Sequence, residues 1–239
     1  MRLFLTGVIF TLFSICSVPL YGVAWLLGKK DERLQVAFSQ NVIKVVFRMI
    51  YFVAGVRLVC EGREQLDKKQ AYMYIANHKS NLDILTAYLT VPTLTAFVSK
   101  DSLKHVPVIR IWMKFLKCLF LNRKDPRDGL KMILQGVEQL KQGYSIFIMP
   151  EGTRNRTEEL LPFHEGSFKL ATKSECPIVP IAMKNNDKIV GHHLAFFRPI
   201  TVKVVFGQPV YLSDLEPEDK KHIGAYMRER MKEMLANID

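Results

Sequence analysis

Residues 72–85 read YMYIANHKSNLDIL, an apolar run that breaks at an Asn-His pair and sets an aspartate five positions beyond the histidine. AYMYIA (71–76) has the length and aromatic content of a buried strand, and NLDILTAYL (81–89) the spacing of a short helix. The unit recurs along the chain. LTAFVSK (94–100), YSIFIM (144–149), IVPIAMK (178–184) and TVKVVFGQPV (201–210) read as strands. Helices are expected over 128–143, ending at Gly143, over 165–174, and from Pro217 to the C-terminus. Such alternation predicts an α/β fold: a mixed, largely parallel central sheet flanked by helices. Ligands of such sheets bind beyond the carboxyl ends of the strands, and His78 falls at such an end.

Were residues 78–83 all helical, five steps of about 100° would set the two side chains roughly 140° apart and keep them from meeting. Ser80-Asn81-Leu82-Asp83, however, matches a capping box, which makes Ser80 the N-cap and leaves His78 in the turn before the helix. From there the imidazole can fold back toward Asp83. An aspartate that accepts one imidazole N–H fixes the tautomer and presents the other nitrogen as a base. The pair is two-thirds of a Ser-His-Asp triad, with the hydroxyl left to the substrate. The alternative is a helix cap beside a surface turn histidine, because capping boxes are common.

A second cluster weighs against that alternative. IFIMPEGTRN (146–155) is another strand-like run that breaks at Pro150 into an acidic, glycine-containing and basic loop. Gly152 permits close backbone approach, Arg154 offers a planar fork suited to phosphate, and Glu151 has an organising role. An ordinary turn with Glu151 paired to Arg154 is the competing reading.

NHKSNLD (77–83) fits an N-H-x(4)-D motif and MPEGTRN (149–155) an F-P-E-G-T-R motif, and in both the chain resembles the glycerolipid acyltransferases over residues 70–210. KCLFLNR (117–123) resembles that family's G-x-I-F-I-x-R block, keeping Arg123 but carrying Lys117 where glycine is usual. CPIVPI (176–181) resembles its proline-containing block. Met149 and Asn155 stand where Phe and Ser are usual. The resemblance implies that His78, oriented by Asp83, deprotonates the glycerol hydroxyl of lysophosphatidic acid as it attacks an acyl-CoA or acyl carrier protein thioester, forming phosphatidic acid. No acyl-enzyme, cofactor or metal is implied; the thioester is a co-substrate. Lys100, Arg123, Glu151, Gly152, Thr153 and Arg154 would bind the acceptor and its phosphate. Backbone N–H groups near the helix start or the Gly152 turn are candidates for an oxyanion site. Another lysophospholipid or lipid hydroxyl as acceptor, and a non-catalytic lipid-binding protein of the same fold, are the competing functions.

The remainder of the chain points to membrane lipids as partners. Its 239 residues carry 34 Lys and Arg against 23 Asp and Glu, a net charge of +11, which favours anionic partners. Residues 3–28 are uncharged and long enough to cross a bilayer, and they read as a retained anchor. Leu34–Cys60 is apolar but interrupted by Lys44, Arg48 and Arg57, which suits an amphipathic helix among headgroups; a buried core helix with a basic edge is the alternative. The expected organisation is a membrane-associated helical motif over 1–60 and an α/β catalytic domain over 61–239. Lys29, Lys30 and Arg33 follow the anchor, so the domain is expected on the cytoplasmic face, of a bacterial inner membrane by the family resemblance.

Residues 100–124 hold seven Lys or Arg against Asp101, with Arg110, Lys114 and Lys117 at helical spacing and Trp112, Phe115, Leu116 and Leu119 supplying apolar surface, a pattern suited to anionic lipid. No nucleic-acid motif accompanies the charge, and no obligate protein partner is evident. The cysteines at 16, 60, 118 and 176 lie too far apart in sequence to read as a disulfide framework or zinc site. His192-His193 reads as loop, and the stripe Ile223, Met227, Met231 and Met234 as core packing.

Overall fold

The structure, a computed structural model, describes residues 1–122, 125–190 and 197–238. His192-His193 and Arg123 therefore lie outside the described residues. Seven strands form one sheet: β1 (Val56–Glu61), β2 (Met73–Ala76), β3 (Thr95–Lys100), β4 (Leu119–Leu121), β5 (Ser145–Ile148), β6 (Ile178–Lys184) and β7 (Ile200–Phe206), in the order β1-β7-β6-β2-β5-β3-β4. All neighbours pair in parallel except β6 and β7. The sheet is thus mixed and largely parallel, as the alternation predicts.

Side-chain alternation along each strand splits the core into two layers. Met73, Ile75, Ile146 and Ile148 face one side, with Met132 and Leu140 of α5 (Pro126–Lys141), Phe168 and Leu170 of α6 (Glu165–Ser174), and Met227 and Met231 of the last long helix (Ile223–Ala236). Tyr74, Phe97, Phe147 and Ile181 face the other, with α2 (Glu32–Ala54), α3 (Asp83–Thr90) and α4 (Pro107–Phe115). The expected methionine stripe is core. The C-terminal helix is broken, however, into a short turn of helix (Pro217–Lys221) and the long one, at His222, whose ψ of 42° is not helical.

The chain starts with α1 (Arg2–Lys30), which stays helical through Pro19 and is joined to α2 through Asp31 alone. Both helices are long and apolar enough to cross a membrane. Asp31 caps α2 by accepting the Arg33 N–H. The two helices are antiparallel: Gln35 donates to Ala24 O near the bend, and Arg2 donates to Ala54 O at the far end. The helix expected to run to residue 60 stops at Gly55, whose φ of 76° is a left-handed cap, and Val56–Glu61 instead pair with β7.

Three surface expectations also change. Lys44 turns inward and donates to Val91 O, because α2 packs on α3 and the loop after it; Arg48 stays exposed. On α4 the apolar side faces protein instead of lipid: Trp112 donates to the Ser17 hydroxyl at 2.9 Å and stacks on Phe13, while Leu116 and Leu119 are buried. Lys117 lies beyond the end of α4 with φ 57°, the left-handed conformation that suits glycine, and its ammonium meets Glu32 at 2.7 Å and the Tyr144 ring.

Candidate active site

Strand β2 ends where Asn77 leaves the ladder. Its amide replaces the missing backbone partners, donating to Met183 O and accepting from Met183 N, both at 2.9 Å. This fixes the exit of the chain toward His78. The histidine then sits in the turn before α3, where Nδ1 lies 2.9 Å from Asp83 Oδ2. The same oxygen accepts the Lys79 and Ser80 N–H groups at 2.8 Å each, whereas Oδ1 is buried without a hydrogen bond. Asp83 is 1% exposed, against 15% for the His78 side chain.

Half of the expected capping box forms. Asp83 reaches back to the Ser80 N–H, but the Ser80 hydroxyl accepts from Leu82 N instead of from Asp83 N, and regular α3 begins only at Asp83. The four intervening residues, Lys79 to Leu82, make the turn that lets His78 and Asp83 meet.

Glu151 joins the second cluster to the first. It is 3% exposed; Oε1 accepts the His78 N–H at 2.7 Å, and Oε2 accepts Asn155 Nδ2 at 2.9 Å and Leu161 N at 3.1 Å. Asn155 completes the junction by donating its backbone N–H to His78 O at 2.7 Å. The structure therefore pairs Glu151 with the His78 backbone, and the competing Glu151–Arg154 turn pair does not form. Gly152 has φ 68°, and a Cβ there would come within 2.8 Å of the His164 ring. Thr153 and Arg154 follow, exposed in the same loop. Lys100, also exposed, ends β3, two strands away from β2 at the same end of the sheet.

Four of the expected residues thus converge, His78, Asp83, Glu151 and Gly152, with Thr153 and Arg154 beside them. Two buried residues were not singled out from the sequence. Asn77 and Asn155 are each 2% exposed, and an asparagine inside each motif, beside His78 in one and Arg154 in the other, was the signal available. Of the N–H groups near the helix start and the Gly152 turn, those of Lys79 and Ser80 are engaged by Asp83, that of Leu82 by Ser80, and that of Gly152 by Met149 O. Among the described residues no cluster of three His, Cys, Asp or Glu could hold a metal ion.

The acyltransferase family model matches residues 57–184, which contain both clusters. The chain belongs to the acyltransferase family. This acyltransferase is 30% identical to the 1-acyl-sn-glycerol-3-phosphate acyltransferase of Saccharomyces cerevisiae, the match covering 80% of this chain and 64% of the yeast protein. The Borreliella burgdorferi protein of the same name is 24% identical, with 82% of this chain and 79% of the relative covered. The fold matches the crystal structure of the 1-acyl-sn-glycerophosphate (LPA) acyltransferase PlsC from Thermotoga maritima with a TM-score of 0.79 at 20% identity, over 100% of this chain and 97% of that one. The match takes in the helical hairpin as well as the sheet. The resemblance drawn from NHKSNLD and MPEGTRN is thereby borne out at the level of family and fold.

Proposed function

We propose that this acyltransferase moves a fatty acyl chain from an acyl thioester to the free glycerol hydroxyl of lysophosphatidic acid, with His78 as general base and Asp83 as its orienting partner. The observation that carries the mechanism is the 2.9 Å contact between His78 Nδ1 and Asp83 Oδ2. A carboxylate there holds the proton on Nδ1 and leaves Nε2 to take one from the acceptor. The acceptor oxygen attacks the thioester carbonyl carbon as its proton passes to Nε2. The tetrahedral intermediate then collapses with cleavage of the C–S bond, and the leaving thiolate takes the proton back from Nε2. The enzyme ends unchanged, with phosphatidic acid and a free thiol as products.

The names of the yeast and Borreliella relatives support lysophosphatidic acid as acceptor. Its phosphate suits Arg154, whose guanidinium is exposed on the loop that Glu151 ties to His78, with Lys100 and Arg123 as further cations. Acyl-CoA and acyl carrier protein present the same thioester, and either serves this chemistry.

The helical hairpin supports attachment to one face of a membrane. Phe4, Ile15 and Phe52 are 72%, 64% and 87% exposed, apolar surface that suits acyl chains. α2 runs through Gly55 directly into β1, while Glu32 and Arg33 at the bend bond Lys117 and Gly143 O, so both ends of the hairpin rest on the α/β domain. A hairpin held at both ends lies along the bilayer surface in one leaflet, with the domain on the cytoplasmic side of a bacterial inner membrane.

The test is incorporation of a labelled acyl chain from acyl-CoA, and separately from acyl carrier protein, into lysophosphatidic acid, lysophosphatidylcholine and lysophosphatidylethanolamine. Phosphatidic acid should form, and His78→Ala should lower its rate by roughly 10² to 10⁴. Product from another acceptor alone would move the substrate, and no product from any would favour a lipid-binding role.

A further inference from the structure

A group of buried polar residues behind the dyad takes no part in the chemistry above. Tyr51, on α2 and 4% exposed, has its hydroxyl 2.5 Å from Thr86 Oγ1 and 3.3 Å from Leu82 O. Thr86 Oγ1 donates its one proton to Asn186 Oδ1 at 2.7 Å, so it accepts from Tyr51. Asn186 Nδ2 lies 3.3 Å from Met183 Sδ, and the backbone of Met183 is the partner of Asn77, the residue before His78. The contacts run from the hairpin, through the first turn of α3, to the exit of β2.

Volume alone does not explain them. Phenylalanine would fill the Tyr51 site without burying a hydroxyl, and valine the Thr86 site. What the hydroxyls grip is informative. With the Thr86 proton committed to Asn186, the one Tyr51 proton goes to Thr86, which follows Asp83 by one helical turn. Asp83 needs such support, because Oδ2 accepts from His78, Lys79 and Ser80 while Oδ1 accepts from nothing. The carboxylate is therefore positioned from one oxygen and from the seating of α3.

We propose that Tyr51, Thr86 and Asn186 are positioning residues that hold the first turn of α3, and with it Asp83, at the distance His78 requires. The hairpin helix thereby serves the base as well as the membrane. This inference rests on His78 acting as general base.

The test uses the full chain with acyl-CoA and lysophosphatidic acid in vesicles, comparing Tyr51→Phe and Thr86→Val, each alone and combined with His78→Ala. Tyr51→Phe should lower kcat about 10-fold with KM within about twofold. Added to His78→Ala, it should cost nothing further, because its effect passes through His78. An unchanged kcat, a change confined to KM, or an additive loss on top of His78→Ala would overturn the proposal. Should Tyr51→Phe fail to fold, the near-isosteric Thr86→Val is judged by the same three readouts. His78→Ala at the wild-type rate would instead remove the base itself, a different failure.

Discussion

Glu151 Oε1 accepts the backbone N–H of His78 at 2.7 Å, across 73 residues of sequence. The glutamate that opens the second cluster thus acts as a bracket for the histidine turn, with its other oxygen fixing the Asn155 amide and Leu161 N. Its charge is spent on backbone and amide donors within the protein.

Glu151→Gln turns one accepting oxygen into an NH₂ group. Oε1 can still serve His78, but the new donor faces Asn155 Nδ2 and Leu161 N. Stability should fall by about 1–3 kcal/mol, and kcat by up to about 10², through displacement of His78. Denaturant titration and initial rates check both; a variant with wild-type stability and rate would show that the bracket is dispensable.

Position 117 should invert the ordinary preference for alanine over glycine. Lys117→Ala keeps the left-handed backbone and loses the Glu32 and Tyr144 contacts, whereas Lys117→Gly loses the same contacts but relieves the backbone. The glycine variant should be the more stable of the two by about 1 kcal/mol, read from urea midpoints.

Glycine 152 and glycine 129 should respond oppositely to alanine. At Gly152 a Cβ meets the His164 ring at 2.8 Å on a backbone with φ 68°, while at Gly129, in α5, it meets nothing within 4 Å. Gly152→Ala should destabilise by at least about 1 kcal/mol and Gly129→Ala stabilise by roughly 0.5–1 kcal/mol. Thermal melts of the two variants make the comparison.

Cysteine reactivity should follow burial. In β1, burial pushes the Cys60 thiol up from 9.0 to about 11, with Arg63 opposing and Glu64 and Glu61 adding to the rise. The thiolate is the reactive form and fills only as pH rises through that value. At about pH 8, alkylation of Cys60 should therefore be slower than that of an unstructured cysteine peptide by roughly 100-fold, the gap closing as pH approaches about 11. Peptide mapping after timed iodoacetamide treatment measures it.

Strands β2, β3, β5, β6 and β7, helices α3, α5 and α6, and the meeting of His78 with Asp83 were legible because each rests on local signals: a short apolar run, a helical spacing and an Asp that reaches back to a Ser N–H. The limits were tertiary. Lys44 and Trp112 have the composition of membrane-facing residues, yet α2 and α4 turn them inward, half-burying Lys44 and burying Trp112, which amphipathic periodicity does not distinguish. β1 looked like the tail of a helix because its apolar residues are continuous with α2; Gly55 and the pairing with β7 decide otherwise. Asn77, Asn155 and Tyr51 matter through partners distant in sequence, which no local pattern records. Lys117 is the converse case: it stands where the motif has glycine, and it adopts the left-handed backbone that suits glycine.

The hairpin also bears on synthesis at the ribosome. Ser17 is fully buried, and its hydroxyl waits for the Trp112 indole 95 residues later, just as Tyr21 waits 87 residues for the Val108 carbonyl. At roughly 5–20 residues per second, the emerging apolar helices have uncovered domain-facing sides for about 5–20 s before α4 exists. During that interval the bilayer or a chaperone is the available cover. The hairpin is thus made, and in need of that cover, before the sheet can be completed against it.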